Sequence, residues 1–227
     1  MEFRTLKANE IDCRINTINA KGLTLLLYKD ARVDQNILDE TVGSMNWQRK
    51  HTRDNANCIV SIWDNEKQQW VEKEDTGTES FSEAEKGLAS DSFKRACFNW
   101  GIGRELYTSP FIWISKDNAN IYKNEKTEKY TCYDKFRVEK IEYDDNREIK
   151  TLLILNETTG VLVFSYYKNT NNEELEKLKL TSEFVKLINE TKTDKEKLYK
   201  HYGVENNTQM TNEQLQDAIN VMKKKVK

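Results

Sequence analysis

The sequence predicts an α+β protein with a small helical module at its C-terminal end. Two runs of short strand patterns, at residues 47–75 and 136–167, each predict a β-meander. Between them, apolar residues recur at helical spacing over residues 82–100. The chain has 227 residues, which is long enough to bury a large core without disulfides.

Composition excludes several classes of protein. Aromatic residues make up 10% of the chain, whereas chains that stay disordered are poor in aromatics. The 36 basic and 38 acidic residues leave a net charge of only -2, so a nucleic acid would have to be bound by a local patch. The longest apolar run, Leu23–Tyr28, is far shorter than the roughly 20 residues that span a bilayer. The N-terminus opens no signal-peptide pattern, so we expect no membrane partner and a cytoplasmic location.

The four cysteines are about 35 to 45 residues apart, and only two histidines accompany them. No metal-ligand spacing results, so we expect reduced, structural thiols and no metal.

Each element of the first half follows from a local pattern. The loose spacing of Leu6, Ile11, Ile15 and Ile18 predicts a helix that ends near Gly22. We then expect a buried strand at residues 22–28 and a helix at residues 31–43. The first meander consists of three predicted strands, Trp47–Arg53, Cys58–Trp63 and Gln69–Asp75.

The helix over residues 82–100 has clear end signals. Ser82 and Glu85 form a capping box, and the stretch Gly101–Gly103 ends the helix. At 100° per residue one stripe is apolar and predicts burial against the meander; it contains Ala89, Phe93, Ala96, Cys97 and Trp100.

The second half predicts another meander and then the helical module. The strands are expected at residues 136–143, 148–156 and 161–167. The predicted domains are residues 1–168 and 177–227, joined by a polar linker at 169–176. Helices of the module are expected near residues 182–190 and 195–202, with a last one that Thr211 and Gln214 open as a capping box.

The helix over residues 82–100 also holds the most informative charges. Lys94 and Arg95 are adjacent, Lys86 lies two turns earlier, and Asp91 is spaced to orient the two later cations. On spacing alone, a solvated helix face with weak ion pairs explains these residues as well as a binding site does.

Longer motifs around these residues resemble the Rad52 family of single-strand annealing proteins, especially its bacteriophage Sak-type branch. The similarity covers roughly residues 6–115, in matching order and spacing. Its blocks are EIDCR (Glu10–Arg14), the strand that ends at Tyr28, Ala31–Val33, Val42–Gly43 followed by Trp47, Gly77 with Glu79, the helix EAEKGLASDSFKRA and the exit Trp100–Gly101.

The resemblance implies a Rad52-like β-β-β-α core with flanking helices, assembled as a homo-oligomeric ring or filament whose groove holds single-stranded DNA. Arg14, Lys86, Lys94 and Arg95 match the family's basic residues at the deep DNA site, and Tyr28 matches a tyrosine close to it. The chain departs from some eukaryotic members at Phe98, where they have another arginine.

A second basic patch lies on the first strand of the first meander. Arg49, His51 and Arg53 would share one face of a strand. Two interpretations are equally open: a DNA-binding patch formed by Arg49 and Arg53, and an exposed edge strand protected by cations.

We therefore expect ATP-independent binding and annealing of complementary single strands, in phage recombination and repair in the bacterial cytoplasm. The chain has no phosphate-binding GxxxxGK[ST] loop, so no cofactor and no enzymatic chemistry are predicted. The alternatives are a passive single-stranded DNA coat and an interaction protein unrelated to DNA. A metal-dependent nuclease is also weighed, with candidate ligands Asp64, Glu66, Glu72, Glu74 and Asp75.

The C-terminal helices have two interpretations. They are a small packing module, or they recruit a host single-stranded DNA-binding protein, whose acidic tail would meet Lys195, Lys197 and Lys200.

Overall fold

The structure is a computed structural model that describes residues 1–78, 84–168 and 172–224. The chain divides into two compact units, residues 1–166 and 167–227. Each unit has its own hydrophobic core.

The strands and helices follow one another in mixed order, so the fold is α+β. The strands are β1 Asp12–Asn19, β2 Gly22–Tyr28, β3 Trp47–Thr52, β4 Asn57–Asp64, β5 Gln69–Thr76, β6 Ile112–Ser115, β7 Ile121–Lys123, β8 Tyr130–Cys132, β9 Phe136–Tyr143, β10 Ile149–Asn156 and β11 Val161–Tyr167. The helices are α1 Ala31–Val42, α2 Ala84–Trp100, α3 Asn172–Thr191, α4 Lys195–Tyr202 and α5 Asn212–Lys223. Short 3-10 helices occupy Ala8–Glu10, Arg104–Thr108, Lys116–Asn118 and Asn207–Gln209.

The strands form three sheets. A six-stranded sheet has the order β11-β10-β9-β1-β2-β6, a three-stranded sheet the order β3-β4-β5, and β7 pairs with β8. Both meanders lie where the sequence predicts them. Through the pairing of Asp12 with Arg137, the second meander joins the β1-β2 hairpin in one sheet.

The helix predicted before Gly22 is wrong, because residues 12–19 form β1. A register shift between Ile15 and Thr17 marks a bulge in the pairing with β2. Before the bulge Cys13 and Ile15 pack against the core, and after it Ile18 does. A bulge adds one residue to a strand and shifts its alternation. The resulting spacing of two and then three residues resembles the spacing of a helix.

The apolar stripe of α2 packs against the core as predicted, with Ala89 and Trp100 half-buried at its two ends. Phe93, Ala96 and Cys97 are fully buried in the core that also contains β4 residues. Trp100 donates a hydrogen bond from Nε1 to the carbonyl oxygen of Val60, at 3.0 Å. A Cβ on Gly77 would lie within 3 Å of backbone atoms of α2, so only glycine permits this close approach. The predicted capping residue Ser82 lies outside the described residues.

The C-terminal unit is helical, and its first helix begins inside the segment that the sequence predicts as a linker. Helix α3 begins at Asn172, so residues 172–176 belong to it. The predicted start of α5 is confirmed, because the Thr211 hydroxyl accepts from the Gln214 N–H at 3.2 Å and Thr211 N–H donates back to the Gln214 side chain at 2.9 Å. The buried core of this unit comes mainly from α3 and α5 and contains Leu180, Phe184, Leu187, Ile188, Met210, Leu215, Ala218, Ile219 and Met222.

Among the described residues, no helix has the length and apolar character needed to cross a bilayer. All four cysteines are free thiols. Cys58 and Cys97 are fully buried, and burial raises the pKa of Cys58 to about 11.

Candidate nucleic-acid interface

Arg14 and Tyr28 lie together on one face of the β1-β2 hairpin. Antiparallel pairing sets Arg14 opposite Leu26 and Asp12 opposite Tyr28, so the two side chains are diagonal neighbours. The guanidinium carbon of Arg14 lies 4.9 Å from the centroid of the Tyr28 ring. The side chain of Arg14 is 58% exposed and Tyr28 is 37% exposed. A cation that stacks on a ring while both stay accessible can contact a phosphate and a base.

Lys94 on α2 is close enough to the start of α1 for its charge to act on Asp30. Hydrogen bonds from the side chain and backbone of Arg32 lower the pKa of Asp30, and the positive charge of Lys94 lowers it further. Asp30 caps α1 and comes two residues after Tyr28. The charge of Lys94 thus acts on the segment that follows Tyr28, and the Lys94 side chain is 22% exposed. Its ammonium lies 3.9 Å from Asp91 Oδ1, at the limit of an ion pair, so a phosphate could compete for it.

A buried ion pair holds this region in place. Lys29 follows Tyr28, is only 8% exposed, and donates to Asp34 Oδ1 on α1. Burial raises the pKa of Asp34 to about 6, against the opposing effect of the Lys29 ammonium. The Lys29 stem also fills the space where Gly103 would have a Cβ. The pair thus joins the end of β2, the start of α1 and the exit of α2.

Arg95 is directed to another side of α2 than Lys94. Its Nε lies 3.4 Å from Asp75 Oδ1 on β5, and the Asn99 side chain donates to the same carboxylate at 3.2 Å. Successive helical residues differ by about 100°, so adjacent cations do not have to point to one ligand. Asp91 receives hydrogen bonds from the N–H and hydroxyl of Thr78, at 2.9 and 3.2 Å. It therefore connects α2 to residues just after β5, besides approaching Lys94.

The second basic patch lies on an edge strand, as one of its two interpretations requires, because β3 is the outer strand of the three-stranded sheet. The guanidinium of Arg49 lies 4.8 Å from the centroid of Phe93, which is fully buried, and Trp47 stacks on the same ring at 6.2 Å. The face of β3 that carries Trp47 and Arg49 therefore contacts α2. The predicted strand is one residue too long, because β3 ends at Thr52. Arg53 lies in the following turn, with a φ of 51°. Burial lowers the pKa of His51, as does the charge of Arg49, so His51 is neutral at pH 7.

Two further predicted positions have different outcomes. Lys86 belongs to α2, but its side chain lies outside the described part of the chain. At Phe98 the side chain is not basic, yet a cation lies over it, because the Arg104 guanidinium is 5.4 Å from the ring centroid. Arg104 donates to the carbonyl oxygens of Phe98 and Asn99 at 2.8 and 2.9 Å. It satisfies carbonyl groups at the end of α2, where cations stabilise the helix dipole.

The acidic candidates for a nuclease have structural partners. Asp64 accepts from the backbone N–H groups of Glu66 and Lys67 in the β4-β5 turn. The side chain of Glu74 accepts from Asn57 at 2.7 Å. Within residues 1–78, 84–168 and 172–224, no cluster of three or more His, Cys, Asp or Glu side chains could hold a metal ion.

Comparison with family models decides the relationship. Residues 5–127, more than half of the chain, match the Rad52/22 family of double-strand break repair proteins. The chain belongs to the Rad52/22 family. Comparison with curated proteins and with solved structures gives no match. The matched segment contains Arg14, Tyr28 and all of α2, whereas β9, β10 and β11 of the large sheet lie beyond it.

Proposed function

We propose that this Rad52/22 family protein binds single-stranded DNA and anneals complementary strands without ATP, as a homo-oligomer in phage recombination and repair. The observation that supports this most directly is the exposed contact between Arg14 and Tyr28. We assign the partly exposed Lys94 to the same site and call the three residues the Arg14 surface. It lies within the segment that matches the family.

The chemistry of the Arg14 surface suits a single strand. Arg14 and Lys94 offer fixed positive charges for phosphates, and the exposed edge of Tyr28 offers an apolar contact for a base or sugar. Each neutralised phosphate releases counterions, with a salt slope of about -0.7 per contact on single strands. Repetition of the surface around an oligomer would give a continuous basic track, although the whole chain is nearly neutral.

Annealing needs no chemical energy input from the protein. If the phosphates are held and the bases face outward, a second strand can test its register without first melting hairpins. Base stacking in the duplex contributes roughly 1.4 kcal/mol per step, and this free energy drives pairing.

The test follows two complementary dye-labelled oligonucleotides that are mixed with the full-length protein in EDTA and without nucleotide. We expect pairing to be faster than without protein. Tight binding with slower pairing would support the passive coat instead, and cleavage that appears on adding Mg²⁺ would support the nuclease.

We assign the recruitment of a host single-stranded DNA-binding protein to α4. Lys195, Lys197 and Lys200 are exposed along this helix, which suits an acidic tail. Replacing all three by glutamate in the full chain should abolish binding of a peptide with that acidic tail and leave annealing of naked strands intact. Unchanged peptide binding would count against this assignment.

A further inference from the structure

Two tyrosines form an exposed aromatic pair on the β7-β8 hairpin. The ring centroids of Tyr122 and Tyr133 are 6.2 Å apart, and the residues are 54% and 80% exposed. Tyr122 is part of β7, and Tyr133 directly follows β8. Exposed neighbouring aromatic residues of this size are typical of binding surfaces.

Hydrogen bonds fix the backbone that supports this pair. Asp134 follows Tyr133 and is buried; its carboxylate accepts from the backbone and side chain of Asn120 at 2.7 and 2.9 Å. The fully buried Asn156 on β10 donates to it at 2.9 Å. Burial alone would raise the pKa of Asp134, but these hydrogen bonds outweigh it and lower the pKa. The carboxylate stays charged, and the rings project from an ordered support.

Cations and a cavity lie beside the tyrosines. A cavity of about 390 Å³ is lined by Tyr122, Lys116, Lys123 and Tyr130, among others. Lys116 N–H donates to the carbonyl oxygen of Lys21 at 2.9 Å, so the β1-β2 turn reaches the same place. Lys123 has an exposed partner, Glu128, at 3.2 Å. Exposed pairs of this kind are weak, so a phosphate can replace the carboxylate.

This place is distinct from the Arg14 surface. In the β2-β6 pairing, Gly22 lies opposite Ser115, next to Lys116. Tyr28 is at the other end of β2, six residues away. At about 3.3 Å per residue the two places are roughly 20 Å apart along the strand.

We propose that Tyr122 and Tyr133 stack with the bases of single-stranded DNA while Lys21, Lys116 and Lys123 contact its phosphates. This inference rests on the proposed function, to which it adds a second contact with the strand. The composition favours DNA over a second copy of the chain. Lysine is depleted in the centres of protein interfaces, whereas cations beside exposed aromatics are typical of surfaces that bind single strands.

The test compares the full-length parent with the Tyr122→Ala/Tyr133→Ala double variant. Fluorescence anisotropy measures binding to a thymine oligonucleotide and to an abasic strand of equal length. We expect the double variant to bind the thymine strand about tenfold more weakly, as loss of base stacking implies, and the abasic strand as well as the parent does. Tyr107→Ala is the matched control, since Tyr107 is 77% exposed and also contacts a ring, that of Phe98 at 4.8 Å. The control should bind both strands like the parent.

Other outcomes overturn the inference in distinguishable ways. Equal affinity of parent and double variant for the thymine strand would contradict the tyrosine contact and leave the proposed function standing. A smaller oligomer for the double variant in light scattering would instead make the tyrosines a subunit interface. If the parent binds neither strand, the proposed function fails together with this inference.

Discussion

Arg14 and Arg49 make nearly the same contact in two different regions of the molecule. Each guanidinium lies over an aromatic ring, at 4.9 Å from the Tyr28 centroid for Arg14 and at 4.8 Å from the Phe93 centroid for Arg49. Tyr28 is 37% exposed at the end of a strand, while Phe93 is fully buried in the core. In the first contact both the cation and the ring are exposed, whereas in the second the cation is exposed and the ring beneath it belongs to the core.

The difference shows that residue type and ring geometry do not define a binding site by themselves. Both guanidinium groups are exposed, so burial of the ring beneath the cation decides only whether a base can stack on that ring. On this basis we assign Arg14 to strand binding and Arg49 to stability. The two interpretations of the β3 patch, a DNA-binding patch and an edge strand protected by cations, can therefore be tested against each other.

The largest effect is expected at the buried pair that lies between the two contacts. On one side, Lys29 directly follows Tyr28. On the other, Asp34 lies near Cys97, which is one helical turn after Phe93: burial raises the pKa of the Cys97 thiol, and the charge of Asp34 raises it further. Asp34→Ala leaves the Lys29 ammonium buried without its partner, at a cost of about 3–5 kcal/mol in the free energy of unfolding. Urea unfolding measures this change.

A paired control separates charge from packing at this position. Lys29→Met/Asp34→Leu removes both charges and retains most of the volume, so it should be far less destabilising than Asp34→Ala. If the double variant is equally unstable, lost packing explains the effect and the ion pair does not.

Arg49→Ala should have an intermediate effect, on stability alone. Loss of the cation and of its stem over Phe93 should cost about 1–2 kcal/mol. Lys50→Ala is the matched control, because Lys50 is exposed on the opposite face of β3, and it should change the urea midpoint little. Similar midpoints for both variants would refute the role assigned to Arg49.

The smallest effect is expected from His51 and depends on pH. Its Nδ1 lies 3.4 Å from the Ser92 hydroxyl, and burial lowers its pKa below the ordinary value of 6.5. Near pH 6.5 His51 therefore binds more protons in the unfolded state than in the folded state. The contribution of His51 to the free energy of unfolding is fully present above pH 6.5 and is lost as the pH falls below 6.5. His51→Gln should flatten this decrease in thermal unfolding followed from pH 7.5 to 5.5. An unchanged slope would mean that other groups cause it.

Much of the fold follows from local patterns, and the exceptions have physical causes. The strands of both meanders and the buried stripe of α2 follow from alternation and helical spacing. The bulge between Ile15 and Thr17 imitates helical spacing, so β1 could not be recognised. The pairing of Asp12 with Arg137 joins residues 125 positions apart, and no local pattern contains such information.

The site was predictable only in part. Arg14, Tyr28 and Lys94 come from the family resemblance, since the mistaken helix over residues 1–20 would have separated Arg14 from Tyr28. Lys29 and Asp34 show no sign of their pairing except their spacing across the start of α1. Tyr122 and Tyr133 come together because a hairpin folds back on itself, so their contact depends on register that the sequence does not display.

The most direct measurement is the annealing rate of complementary oligonucleotides with Arg14→Ala and with Arg49→Ala, in EDTA without nucleotide and at a temperature where both variants are folded. Light scattering should confirm that both keep the parent's oligomeric state. We predict that Arg14→Ala slows annealing about tenfold and reduces the salt slope of strand binding by about 0.7 per lost phosphate contact, while Arg49→Ala stays within twofold of the parent. Parent-like annealing by Arg14→Ala, or an equal loss in both variants, would contradict the assignment of the Arg14 surface to DNA.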